Sequence, residues 1–288
     1  MASMDVAIVN GQRMAPAPGL KGACERCGEP AQAKCGPIVR WHWAHAGRRH
    51  CDPWMENEGP WHKAWKELFP FEWRENVRSD EATGEKHVAD IRRPDDLVIE
   101  LQNSPMPLDE MQSRERFYGE RMLWIVNAEK FGANIRFGEA LPDPEHPDVR
   151  DFTLMIPAFS HHHLTRPAVL DGGNLGYFLT SDLAENFKPG SLHLLYHGDQ
   201  FKRAVQESHT GQFAWGWRRP REVWLRCQRQ VIFDFGPKGL WAITPYGAEG
   251  DICIQRVWRD RFIESLLSGA QPDLNGKIEP YWAWMGHG

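Results

Sequence analysis

HVADIRRPDDLVIELQNSPMPLDEMQSRERFY, His87 to Tyr118, is the stretch on which the fold turns. In Leu97-Val98-Ile99-Glu100-Leu101-Gln102, Leu97, Ile99 and Leu101 point one way and Val98, Glu100 and Gln102 the other, which reads as a half-buried strand. His87-Val88-Ala89-Asp90-Ile91 is also β-prone, and Arg93-Pro94-Asp95-Asp96 between them is turn chemistry, so the two runs make a hairpin. A turn centred on Asp95 sets Asp90 across from Glu100 and Val88 from Gln102, with facing Cβ atoms roughly 4.5–5.5 Å apart. Two carboxylates at that spacing repel, and a hard divalent ion, Mg²⁺ or Mn²⁺, is their natural partner. A hairpin whose exposed Asp and Glu never meet would give the same string.

The residues around the pair resemble the competence protein CoiA-like nuclease family of the PD-(D/E)XK superfamily. The matching pieces are His87-Val88-Ala89-Asp90, Ile99-Glu100-Leu101-Gln102-Asn103-Ser104 and Ser113-Arg114-Glu115-Arg116-Phe117-Tyr118. Upstream, His42-Trp43-Ala44-His45, Cys51-Asp52-Pro53-Trp54 and Trp61-His62-Lys63-Ala64-Trp65-Lys66 are also similar to it. The likeness runs from about residue 20 to 127 and weakens beyond. It implies an α+β fold with a restriction-endonuclease-like αβββαβ core, a mixed sheet flanked by helices. It further implies that Asp90, Glu100 and the Leu101 carbonyl hold Mg²⁺, and that Gln102 stands where most of the superfamily has Lys. Gln can orient water but carries no charge, so Lys66, or a second ion held by Glu58, would supply the positive charge. By the same resemblance Glu58 is a secondary metal ligand or base, and His62, Lys66 and His87 lie on the substrate.

With 288 residues the chain is long enough for one large domain or two small ones. A net charge of −5 speaks against a uniformly basic, non-specific DNA coat. No apolar run is long enough to span a membrane, and the N-terminus lacks a basic-plus-apolar signal pattern, so a cytoplasmic protein is expected. Most of the fourteen tryptophans read as core.

Four of the six cysteines fall between Cys24 and Cys51, interleaved with histidines, which without a secretion signal favours a metal over disulfides. Zinc takes four N/S ligands in a tetrahedron. Cys24 and Cys27 supply one pair, and the other comes from Cys35, His42, His45 and Cys51. We favour Cys24, Cys27, His45 and Cys51, which bracket a zinc-knuckle-like excursion. Such a structural Zn²⁺ would hold a module poor in apolar residues.

Four segments are expected: an N-terminal hairpin and knuckle over 1–57, the nuclease core over 58–135, a connector of undetermined structure over 136–212, and a C-terminal hairpin and helix over 213–288, packing on the core. Asn10-Gly11 marks a type I′ turn. Glu58 to Phe69 reads as a helix with Pro60 in its first turn, Trp61, Trp65 and Leu68 as its buried stripe and Glu58, His62 and Lys66 as a parallel polar line. Phe71 to Arg78 reads as a strand, Leu108 to Arg121 as a helix and Met122 to Val126 as a strand buried on both faces. Arg114 and Tyr118, one turn apart, could clamp a phosphate, or simply pack on each other. Trp215 to Arg221 interleaves aromatic and basic residues, as a nucleic-acid contact or a Trp seam with solvated Arg would. His161-His162-His163 cannot all face one ion. Cys227 and Cys253 read as inert and buried.

The expected function is metal-dependent hydrolysis of phosphodiester bonds in DNA. The alternatives are a DNA-binding or processing factor on a nuclease fold with weak or no catalysis, and a zinc-organised protein-interaction module. A homodimer would be needed for paired cuts in a duplex.

Overall fold

The computed structural model describes residues 4–38, 40–47, 51–54, 58–147, 152–155, 176–179, 199–246 and 251–276. His50 and His161 to His163 lie outside the described residues. The chain is mixed α+β and divides into two compact units, Met1–Asn127 with Cys227–Arg229, and Ala128–Arg226 with Gln230–Gly288.

The first unit opens with five short strands, β1 Ala7–Val9, β2 Gln12–Met14, β3 Lys21–Ala23, β4 Pro30–Lys34 and β5 His42–His45, in the order β2-β1-β3-β4-β5. Asn10 and Gly11 both have positive φ, 52° and 79°, as the Asn-Gly turn requires. The core of this sheet is small: Met4, Ala7, Val9, Cys24, Ala31 and Trp43. A sheet with so few buried side chains gains little from burial, so any metal it binds weighs heavily in its stability.

Next come α1 Pro60–Lys66, β6 Arg74–Ser79, β7 Lys86–Arg92, β8 Val98–Gln102, α2 Leu108–Tyr118 and β9 Met122–Asn127. Strands β6, β7 and β8 pair antiparallel and β9 runs parallel to β8. The β7–β8 register, Ile91↔Ile99 and Arg92↔Val98, is the one a turn at Asp95 gives. Four elements differ from what the sequence suggests, α2 among them, since it ends at Tyr118 and not at Arg121. Strand β8 is buried on both faces, Glu100 and Gln102 included, because alternation assigns faces but not what covers them. Helix α1 is shorter than its periodicity suggested and buries the polar line, His62 and Lys66, with Trp65, while Leu68 is exposed. A 3₁₀ turn, Phe71–Trp73, precedes β6 where an unbroken strand was read. Helix α2 stops at Tyr118 because Gly119 takes φ 76°.

In the second unit β10 Ile135–Ala140 precedes a two-stranded pair, β11 Phe152–Met155 and β12 Gly176–Leu179. Helix α3 Asp199–Ser208, β13 Gln212–Trp217, α4 Glu222–Leu225, β14 Gln230–Asp234, β15 Leu240–Tyr246, β16 Asp251–Val257 and α5 Arg259–Leu267 follow. The larger sheet runs β10-β13-β16-β15-β14. Its β14–β15 hairpin turns through Gly236 and Gly239, at φ 61° and 87°. Trp215, Trp217, Trp224 and Trp241 are buried here, Trp217 between Phe131 and Phe233, so these aromatics are core. Burial raises the thiol of Cys253 to about 11 and that of Cys227, a half-buried residue of the first unit, further, which keeps both protonated at neutral pH. Among the described residues no helix is long and apolar enough to cross a membrane.

Candidate active site and candidate zinc site

The β3–β4 turn, the end of β5 and the segment after it bring Cys24, Cys27, His45 and Cys51 together, with one ligand atom of each within 4.8 Å of the others. Cys24 Sγ and Cys51 Sγ are 3.7 Å apart, and Cys27 Sγ lies 3.3 Å from His45 Nε2. A tetrahedron with Zn–S bonds of ~2.3 Å has S···S edges of about 3.7 Å, so the four could hold a zinc ion. Cys35 and His42, the alternative ligands, are not in the cluster, and His42 Nδ1 donates to the Arg40 carbonyl at 2.9 Å.

The second site is built across three strands. The β7–β8 register continues to Asp90 opposite Glu100, but the ladder is interrupted there. The Leu101 N–H, which antiparallel pairing would send to the Ala89 carbonyl, donates instead to Asp90 Oδ2 at 2.9 Å. The Asp90 N–H donates to Glu100 Oε1 at 3.3 Å. On the other side, β6–β7 pairing passes from Arg74↔Ile91 to Asn76↔Ala89, so by count Glu75 opposes Asp90. Glu75 has φ 49°, a left-handed conformation that costs about 1–3 kcal/mol in a non-glycine residue and is held only where its surroundings fix it. They do: its Oε2 accepts from Asp5 N at 2.8 Å and Val6 N at 3.2 Å.

Helix α1 lays its polar line over this row. Lys66, 1 % exposed, pairs with Glu58, with Glu75 Oε1 at 3.1 Å and with Asp90 Oδ1 at 3.2 Å. His62 Nε2 donates to Asp90 Oδ2 at 3.1 Å. Helix α2 contributes Arg114, whose guanidinium donates to Glu100 Oε2 at 2.9 Å, to Glu110 and to the Trp54 carbonyl at 2.8 Å. Glu58, His62, Lys66, Glu75, Asp90, Glu100, Leu101 and Arg114 line one cavity with Trp54 and Val88. About 30 Å³ of it is open to water centres, room for about two waters or an ion with one water. Glu58 Oε2 and His62 Nδ1, both buried on its wall, have no hydrogen-bond partner among the described residues.

The electrostatics divide the acids. Burial works to raise Asp90, but the charges of His62 and Lys66 outweigh it and hold the carboxyl well below its usual range. Burial and the charge on Asp90 push Glu100 up to about 7, against Arg114. Burial likewise pushes Glu75 up to about 8, with Lys66 opposing. Burial would lower His62, and Asp90 reverses it so that its pKa is raised. Glu75, Glu100 and His62 therefore all bind protons more tightly folded than unfolded. The stability they contribute is complete below their unfolded pKa values and is lost as pH rises through the folded ones. Without added divalent ions, the melting temperature should fall between pH 5 and pH 8.5. Asp90 has the opposite sign, and its window lies below its ordinary carboxylate pKa. Glu75→Gln should flatten the upper part of the curve in scanning calorimetry, and an unchanged slope would refute the assignment.

Of the residues singled out in the sequence, Asp90, Glu100, Leu101, Glu58, His62, Lys66 and Arg114 meet in the cavity, while Gln102, His87 and Tyr118 are not among its lining. Gln102 is buried and donates to the Ser104 carbonyl at 3.1 Å. His87 is buried between Asp52 at 2.9 Å and Glu85 at 2.8 Å, stacked on Trp54. The Tyr118 hydroxyl is buried with no partner among the described residues. Sequence reasoning missed Glu75 and Asp5, each with an oxygen within 4.8 Å of one on Glu58, and gave no role to Asp52 and Trp54, which fall in a stretch similar to the family. Glu75 was within reach: the Asp80–Gly84 turn, pinned by Asp80 Oδ1 on Ala82 N and Thr83 N, sets the count that opposes it to Asp90. Asp5 carries no such signal, since its neighbours are remote in sequence, and the likeness around Asp52 gave no partner for it. Compared with protein-family models, with curated proteins and with solved structures, the chain matches none of them.

Proposed function

We propose that this protein is a metal-dependent nuclease that hydrolyses phosphodiester bonds in DNA, using a PD-(D/E)XK-type site similar to that of the CoiA-like family. The observation that carries the reading is the convergence of Asp90 and Glu100, from adjacent strands, with Lys66 in one buried cavity. The element order α1-β6-β7-β8-α2-β9 is also that of the αβββαβ core.

The donor set suits a hard cation: carboxylate oxygens of Asp90 and Glu100 with the Leu101 carbonyl, and a buried oxygen on Glu58 that has no partner among the described residues. When bound, Mg²⁺ or Mn²⁺ lowers the pKa of a coordinated water and offsets charge developing on the phosphate. The side chains do the rest. Asp90 is ionised at neutral pH, and its side chain, 18 % exposed against 3 % for Glu100 and 5 % for Glu75, is where a phosphate can approach. Lys66, from α1, supplies the cation beside Asp90 that Gln102 on β8 cannot. His62 and the Leu101 N–H fix the orientation of Asp90, and Arg114 fixes that of Glu100. Glu100, near 7, gives up a proton when a cation binds, so divalent affinity should rise with pH up to about neutral. Zinc at the cysteine cluster is structural, DNA is the partner, and the cytoplasm is the expected compartment.

A second reading is favoured by the same ion pairs. Lys66 and Arg114 already neutralise the acids, as a DNA-binding factor with an idle metal site would allow. Cleavage of linear, circular and single-stranded DNA, with Mg²⁺, with Mn²⁺ or without either, separates the two. Wild type should cut only with the ion, and Asp90→Asn, shown to fold, should lose at least about a hundredfold in rate. Salt-sensitive DNA binding with no cutting under any condition would select the second reading.

A further inference from the structure

We infer that Asp52 is a positioning residue for the Asp90/Glu100 pair, linking the zinc knuckle to the acid cavity; this rests on the nuclease reading above. Asp52 follows the cluster residue Cys51 directly and is 1 % exposed. Its partner Arg26, at 3.2 Å, lies between Cys24 and Cys27, so the ligands of one metal flank both halves of the pair. The remaining capacity of the carboxylate is spent on strand β7 and on its own turn. Oδ1 accepts from His87 Nδ1 at 2.9 Å and Trp54 N at 3.1 Å, and Oδ2 accepts from Val88 N at 2.9 Å. Val88 lies two residues before Asp90 on the same strand, and both line the cavity.

From the Asp52 turn the contacts continue to the other acid. Trp54 stacks on His87 with ring centroids 3.2 Å apart, and its carbonyl takes Arg114 Nη2 at 2.8 Å. The Arg114 guanidinium also lies 5.5 Å from the Trp54 ring and donates to Glu100. One buried carboxylate thus fixes β7 beside Asp90 and, through Trp54 and Arg114, the rotamer of Glu100. A divalent ion needs both carboxylates held at fixed separation, and residues that orient ligands in this way typically account for about 10–100-fold in metal affinity or activity.

The test is Mn²⁺ titration calorimetry and DNA cleavage on the full zinc-loaded chain, for wild type and the near-isosteric Asp52→Asn. The variant should keep its zinc stoichiometry and a cooperative melt, bind Mn²⁺ about 10–100-fold more weakly and lose kcat by a similar factor, with KM for DNA little changed. A purely structural role would lower the melting temperature and leave Mn²⁺ affinity, measured well below it, unmoved; that result overturns the inference while the nuclease reading stands. Wild type that neither binds Mn²⁺ nor cuts DNA overturns both. Should Asp52→Asn lose zinc or its melt, Arg26→Gln takes its place with the same direction of effect expected, and unchanged Mn²⁺ affinity in it counts against the inference.

Discussion

A chain carrying Cys24→Ser is expected to bind no zinc and to lose its β1–β5 sheet as a folded unit, whereas Cys35→Ser behaves as wild type. Zinc sites of this kind supply roughly 10–16 kcal/mol at neutral pH in small modules. The sheet has little else: one core cluster of six buried residues, two of them alanines, and strands of three to five residues. Serine is a poor zinc ligand and leaves a hydroxyl at a position 4 % exposed, so the loss is compounded. Zinc stoichiometry and amide exchange across β3, β4 and β5 measure it. Retained zinc and retained protection in Cys24→Ser would show that the cluster is not the ligand set. Because Cys51 leads into Asp52, Mn²⁺ affinity at the acid pair should fall in the same variant.

Lys66→Met should destabilise the protein by about 3–5 kcal/mol at pH 8, the usual result of removing one partner from a buried ion pair. Methionine fills the space of the lysine stem but leaves Glu58, Glu75 and Asp90 facing one another without the ammonium that now touches all three. The deficit has a signature. At pH 5 Glu75, whose pKa burial pushes up to about 8, is protonated in place, so the destabilisation should shrink, and urea melts at the two pH values compare them directly. A loss under about 1 kcal/mol, or one equal at both pH values, would mean that Lys66 is not the counter-ion of this row. Added Mn²⁺ should recover part of the loss at pH 8 by supplying positive charge beside Asp90.

Much of the first unit was legible in local chemistry. Asn10-Gly11 announced its turn, and a turn centred on Asp95 was enough to fix Asp90 against Glu100. The spacing of Cys24, Cys27, His45 and Cys51 picked out the set that comes together. Four-residue spacing put His62 and Lys66 on one line of α1, with Glu58 just ahead of the helix, though the same periodicity pointed its buried stripe through Leu68. The second unit was less legible, with most of 136–212 carrying no clear period.

The sequence by itself determined what depends on neighbours along the chain: turn positions, strand register, and which residues share a helix face or a chelating spacing. Only the tertiary structure decided what covers each face. It showed β8 buried on both sides, so that Glu100 sits near 7 instead of being a solvated acid, and Lys66 drawn onto three carboxylates. It also brought Asp5 and Asp52 to β6 and β7 over separations of 70 and 35 residues. Such contacts form because buried charges must find partners wherever the fold places them, and no local pattern records where that is.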